Sequence, residues 1–111
     1  MSINTYQKGA RNQRKAKRYY ENIGYEVEIV RYNKWEKQKD FFGLWDLICV
    51  GKNDVIFVQV KTNQSPDKEW RARANKWGPI GKAVYKEWVT YKDYQRGDVP
   101  SARVLIGHGI V

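Results

Sequence analysis

Near the middle of the chain, Asp46 stands inside an otherwise apolar run, Leu44-Trp45-Asp46-Leu47-Ile48-Cys49-Val50, and thirteen residues later comes Gln59-Val60-Lys61. A carboxylate in such a run needs a reason, because desolvating it without a partner is costly. Strand side chains alternate, so Phe57, Gln59 and Lys61 point to one face while Ile56, Val58 and Val60 point to the other. The turn chemistry of Gly51-Lys52-Asn53-Asp54 joins Leu44–Val50 to Val55–Val60 as a tight hairpin, which brings Asp46 to Gln59 and Lys61 at one sheet edge. Oxygens of Asp46 and Gln59, with the Val60 carbonyl, suit a hard divalent cation. Lys61 can then orient or help deprotonate a water, or stabilise the charge that builds on a phosphorane-like transition state. Singly, each residue reads as readily as structure: Asp46 as a cap or partner of Lys61, Gln59 and Lys61 as polar residues on a solvated strand. Their joint placement is what points to a site.

Positioning these residues takes a sheet with helices packed on it. From Lys8 to Asn22 there is no Pro, and Ala16, Tyr19, Tyr20 and Ile23 recur at helical spacing, which predicts a helix over about 8–23 with Gly24 as its stop. Residues 25–32 alternate as a half-buried strand, and 33–43 read as a loop or hairpin ending in Phe41-Phe42-Gly43. Beyond the central hairpin, Ser65 or Asp67 can cap a short helix over about 67–76, ended by the Gly78-Pro79 and Gly81 cluster. Segments 84–91 and 102–107 read as strands joined by a turn at Gly97-Asp98-Val99-Pro100. The order α-β-β-β-α-β-β predicts an α/β domain spanning 1–111, with a central mixed sheet flanked by helices.

Composition narrows the function classes. At 111 residues the chain has the usual size of one domain, and 41% hydrophobic residues with five Trp and eight Tyr exclude a disordered basic tail. No apolar run approaches the roughly 18 residues of a membrane span, and residues 1–20 lack the apolar centre of a signal peptide, so a cytoplasmic protein is expected. One cysteine, Cys49, allows no internal disulfide, and one histidine, His108, leaves a Cys/His zinc site short of ligands. The net charge of +9 is uneven: residues 1–20 carry six basic groups and no acid, 21–63 are near balance at −1, and 64–111 carry +4. Basic ends around a neutral middle suit a polyanion, with nucleic acid as the leading partner and a merely solvated basic surface as the plain alternative.

The stretches Asp40-Phe41-Phe42-Gly43-Leu44-Trp45-Asp46-Leu47-Ile48 and Phe57-Val58-Gln59-Val60-Lys61-Thr62 resemble the D-(X)n-(E/Q)-X-K signature of the PD-(D/E)XK nuclease superfamily, in its Holliday junction resolvase-like branch from archaea and phages. Lys8-Gly9-Ala10-Arg11-Asn12-Gln13-Arg14 is similar to the Lys-Gly-x-x-x-Glu-Arg start of the first helix in those resolvases, so the resemblance covers roughly residues 8–62. It implies a restriction-endonuclease-like core and a Mg²⁺- or Mn²⁺-dependent endonuclease in which water attacks phosphorus. Asp46 would be the central metal ligand, Gln59 a weaker one, Lys61 the base or charge stabiliser, and Gln13 a residue lining the site. Asp46 and Lys61 match unchanged, whereas Gln13 and Gln59 stand where glutamates are usual. Asp40 or Glu28 is then expected to supply a further carboxylate, with Glu21 less suited. Branched or junction DNA is the implied substrate, and symmetric cutting of a junction implies a homodimer.

Outside the motif, Lys8, Arg11, Arg14, Lys15 and Arg18 can form one stripe for phosphate contact. Arg71, Arg73 and Lys76 read similarly on the second helix, whose Trp70 and Trp77 suit the core. Trp35 is the aromatic best placed to stack on a base, or else to cover the sheet edge. Cys49 reads as a small buried apolar residue. Two other functions share the fold: a nucleic-acid-binding module without catalysis, and a sequence-specific restriction or homing endonuclease, for which 111 residues leave little room for a recognition domain.

Overall fold

The structure is a computed structural model that describes residues 5–30, 40–78, 83–93 and 95–108. Its elements follow the order α1 (Thr5–Asn22), β1 (Glu26–Ile29), β2 (Leu47–Val50), β3 (Val55–Thr62), α2 (Lys68–Lys76), β4 (Val84–Tyr91) and β5 (Ala102–His108). The five strands form one mixed sheet in the order β1-β2-β3-β4-β5, every neighbouring pair antiparallel except the parallel pair β3–β4. A parallel pair cannot be closed by a tight turn, and here the crossover carries α2.

The helices cover opposite faces. Ala16 and Tyr20 of α1 pack with Leu47, Cys49, Ile56, Val58, Val60, Val89 and Tyr91, while Trp70 and Ala74 of α2 pack with Leu44, Trp45, Phe57 and Trp88. β3 is therefore covered on both sides, which explains its nearly unbroken apolar text, Val-Ile-Phe-Val-Gln-Val. Each fully buried side chain of this size contributes about 1.5–3 kcal/mol relative to exposure. Cys49 is buried as expected, and burial pushes its thiol pKa up. Trp70 is buried and Trp77 packs beside it in the cluster under α2.

α1 starts earlier than expected and presents a different face. Among its described side chains Asn12, Gln13, Ala16 and Tyr20 are buried, while Ile23 lies past the helix end and is 48% exposed. The stop at Gly24, with φ +104°, lets the Tyr25 N–H return to the Tyr20 carbonyl at 3.1 Å. Of the two possible caps for α2, Asp67 is used: its carboxylate accepts from the Trp70 N–H at 2.7 Å. The other end of α2 is held by Lys86, a buried lysine of β4 that donates to the carbonyls of Ala74 (2.9 Å) and Trp77. Pro79 and Gly81 lie outside the described residues.

α1 is tied to the sheet through the buried carboxylate of Glu87. Glu87 of β4 accepts from the Tyr20 hydroxyl at 2.6 Å and from Arg103 of β5 through Nε (2.6 Å) and Nη2 (2.9 Å). The Arg103 guanidinium also lies over the Tyr20 and Tyr19 rings, 5.3 and 5.8 Å from their centroids.

β1 is shorter than the expected strand over 25–32; Arg31 and the loop residues 33–39, Trp35 among them, lie outside the described residues. β1 is an edge strand whose Glu26 and Glu28 are exposed. In the β2–β3 turn, a Cβ on Gly51 would stand 2.6 Å from Asp54 Oδ1 and 2.8 Å from the Tyr25 ring, so only glycine fits there. Among the described residues no helix is long and apolar enough to cross a membrane.

Candidate active site

The run Leu44–Val50 is not one strand. Residues 41–45 close a tight turn, with the Phe41 N–H donating to the Trp45 carbonyl at 2.6 Å and the Trp45 N–H donating back to Phe41 at 3.0 Å. The chain becomes regular strand only at Leu47. Asp46 thus sits at the mouth of β2, inside the sheet rather than at a lateral edge. Its N–H donates to Val58 at 2.8 Å, and its carbonyl accepts from Val30 at 2.9 Å.

Around the Asp46 side chain, which is only 3% exposed, four groups converge. Gln13 Nε2 of α1 donates to Oδ1 at 3.1 Å, and the Val60 N–H of β3 donates to Oδ2 at 2.9 Å. Gln59, with its amide nitrogen turned inward, donates to Oδ2 at 3.0 Å and to the Leu44 carbonyl at 2.8 Å. The fourth group is Asp40, whose carboxyl is near enough to that of Asp46 to raise its pKa. Burial pushes the Asp46 pKa well above the usual carboxylate range; the Val60 N–H and the Lys61 charge oppose this, and Asp40 adds to it. Lys61 is half-buried and lies on the Gln59 face of β3.

Of the two carboxylates expected to approach Asp46, Asp40 is the one that reaches it. Glu28 faces a shallow groove with Glu21, Glu26 and Val50. Asn12, which sequence reasoning missed, is buried and donates to Thr62 Oγ1 at 2.6 Å, fixing α1 to the end of β3. The available signal was its adjacency to Gln13, at the start of a stripe that runs through Ala16 and Tyr20 at helical spacing.

The rim of the site is the loop between the two aspartates. Phe42 has φ +55° and is 63% exposed, followed by Gly43 at φ +70°. Left-handed backbone costs a residue with a Cβ about 1–2 kcal/mol. The Phe42 ring rests on Trp77 at 5.1 Å between centroids, and Arg73 Nη2 donates to the Gly43 carbonyl at 3.1 Å.

The basic stripe is divided. Arg11 and Arg14 are exposed, with no hydrogen-bond or ion-pair partner among the described residues. Arg18 makes a two-pronged pair with Asp98 at 3.0 and 3.1 Å, and Lys15 Nζ donates to the Gln95 carbonyl at 2.6 Å. The Lys8 side chain lies outside the described residues, as does that of His108.

Hard oxygens are the donors this pocket offers: the carboxyls of Asp46 and Asp40, the Gln59 amide and the Val60 carbonyl, which points to the same side of β3 as the Val60 N–H. A half-turn of the Gln59 amide would set its oxygen against Asp46 Oδ2 and the Leu44 carbonyl, an arrangement that needs a cation to hold it. With the nitrogen inward, the amide fills that electrostatic role itself. The donor set therefore fits Mg²⁺ or Mn²⁺ in type. It is sparse in charge, since no group of three or more His, Cys, Asp or Glu side chains gathers among the described residues.

Gln59→Glu is expected to convert this balance into metal dependence. It replaces two donated hydrogen bonds by a third carboxylate, which destabilises the metal-free protein by about 1–3 kcal/mol at neutral pH. Millimolar Mg²⁺ or Mn²⁺ then raises its melting temperature more than that of the wild type. A variant melt insensitive to either cation would reject the donor assignment.

In comparisons with protein families, with curated proteins and with solved structures, the chain matches none.

Proposed function

We propose that this chain is a metal-dependent DNA endonuclease with a restriction-endonuclease-like core, resembling the Holliday junction resolvases and selective for DNA structure. The observation that carries the reading is the buried Asp46 carboxyl, hydrogen-bonded by Gln59, with Asp40 raising its pKa and the Lys61 charge lowering it. A carboxyl so deeply buried that also has a second carboxyl beside it suits a site that takes up a cation.

Asp46 and Asp40, with Gln59 and the Val60 carbonyl, would hold Mg²⁺ or Mn²⁺, which supplies Lewis-acid stabilisation of charge on the phosphate. Gln13 and the Val60 N–H orient the Asp46 carboxylate through its two oxygens. Lys61 holds a proton at Nζ next to the pocket, where it stabilises the charge that develops on the phosphoryl oxygens or orients the attacking water. Arg11 and Arg14 of α1, with Arg71, Arg73 and Lys76 of α2, supply the non-specific grip on phosphates. A four-way junction needs two such sites, so the active form is a homodimer.

The test is purified protein on four-way, nicked and linear DNA with Mg²⁺ or Mn²⁺, beside Lys61→Ala, which is expected to lower the cleavage rate about a hundredfold or more. Equal cutting by both proteins would sink the catalytic assignment, and discrete cuts in unbranched duplex would contradict structure selectivity. The sparse charge of the donor set favours one second reading, a nucleic-acid-binding module on the same fold. Salt-dependent binding with no metal dependence and no product would establish it.

A further inference from the structure

The Phe42 ring is the largest apolar group that the described surface exposes beside the site, and three observations give it a purpose. Its backbone is left-handed, a conformation that glycine would adopt freely, so the position accepts strain to keep a large side chain. The loop that carries it is pinned by the Phe41–Trp45 backbone pair and by Arg73 on the Gly43 carbonyl, so the ring is preorganised. One side of the ring rests on Trp77, which in turn packs on Trp45, the neighbour of Asp46, at 5.6 Å. Arg73, whose guanidinium reaches the adjoining Gly43 carbonyl, sets positive charge beside the ring, and exposed Arg71 and Lys76 lie on the same helix, which favours a polyanion as the occupant over an apolar protein surface.

We propose that Phe42, backed by Trp77, is a stacking platform for an unpaired nucleobase next to the Asp46 site. The proposal rests on the nucleic-acid reading above and adds to it the feature of DNA that is recognised. Every base has a π-face, so stacking reads no sequence. In continuous duplex the bases are stacked on one another, whereas a branch, nick or frayed end frees a base for the ring. Phe42 therefore distinguishes interrupted from continuous DNA.

The test uses the full chain in EDTA, which prevents cutting, with a fluorescent aminopurine at the branch of a four-way junction and at a nick. Wild-type protein is expected to quench the probe. Phe42→Ala and Phe42→Gly are expected to lose the quenching and to bind junction and nicked DNA roughly 5- to 100-fold more weakly, with continuous duplex unaffected, and Phe42→Trp to retain both. Phe42→Gly is expected to melt at or above the wild type, because glycine relieves the left-handed backbone. Unchanged quenching and preference in Phe42→Ala, with DNA binding intact, would overturn the platform and leave the nucleic-acid reading standing. Failure of the wild type to bind any of the three DNAs would overturn both. A dimer that dissociates in Phe42→Ala, or a Phe42→Gly protein that melts well below the wild type, would show the ring to be an interface or a core cover and would equally overturn the platform.

Discussion

Asp46→Asn is expected to abolish cleavage while leaving the metal-free fold at least as stable as the wild type. The amide keeps the shape of the carboxylate and can still accept the Val60 N–H, while the charge that burial and Asp40 disfavour is gone. The Asp46 pKa is raised in the folded protein, so the fold binds its proton more tightly than the unfolded chain does. That contribution to stability is fully present below the unfolded carboxylate pKa of about 3.9 and is lost as pH rises through that value towards the folded one. The metal-free wild type therefore loses stability as pH climbs from about 4 towards neutrality, and Asp46→Asn loses less. Mg²⁺ selects the deprotonated carboxylate and should restore wild-type stability at neutral pH with no effect on the variant. Melting curves across pH, with and without the cation, read all of this. Activity should fall about a thousandfold or more, the scale on which groups that stabilise charge at a reacting centre act. A variant that melts well below the wild type at neutral pH would mean that Asp46 is a structural carboxylate, held charged.

The largest loss of stability is expected from Arg103→Met. The substitution keeps an apolar stem near Tyr19 and Tyr20 but strips Glu87, whose side chain is 8% exposed, of its counter-charge and of two of its three hydrogen bonds. Removing one member of a buried ion pair costs about 3–5 kcal/mol; the 35% exposure of the Arg103 side chain admits water and brings the expectation to about 2–4 kcal/mol. Replacing both residues, Glu87→Met with Arg103→Met, should recover most of the loss, since the uncompensated charge is the main cost. Denaturant titration of the two single variants and the double variant measures the coupling. Equal losses in Arg103→Met and in the double variant would show that packing, rather than charge, decides.

These two residues mark where sequence reasoning works and where it stops. The Asp46–Gln59 contact was legible because both residues belong to one hairpin, and the register of a hairpin follows from its turn and its apolar pattern. The helix and strand order was legible for similar local reasons, as with the strand expected over 84–91 and found at Val84–Tyr91. The approach of Asp40 was left open, because it depends on a turn at Phe42-Gly43 where residue type alone suggests that extended strand begins at Leu44. The Glu87–Arg103–Tyr20 network was illegible because it joins three elements that only the folded sheet brings together. The same holds for Arg18, tied to Asp98 eighty residues away, and it reduces the basic stripe that the sequence displays as continuous. Asn12 and Gln13 are polar residues buried to reach Thr62 and Asp46, against the general preference that places such residues outside.

The β1 edge bears on how two copies can meet. Among the described residues no strand pairs with its outer side, and such an edge is a template for a strand from another molecule. Two such edges paired antiparallel about a twofold axis, with Val27 opposite Val27, would set Glu26 of each copy against Glu28 of the other, four carboxylates on one face. Like charges directly opposed destabilise a strand pair. Pairing of two β1 edges in this register is thereby disfavoured, and the homodimer of the proposed function is expected to join through other surfaces.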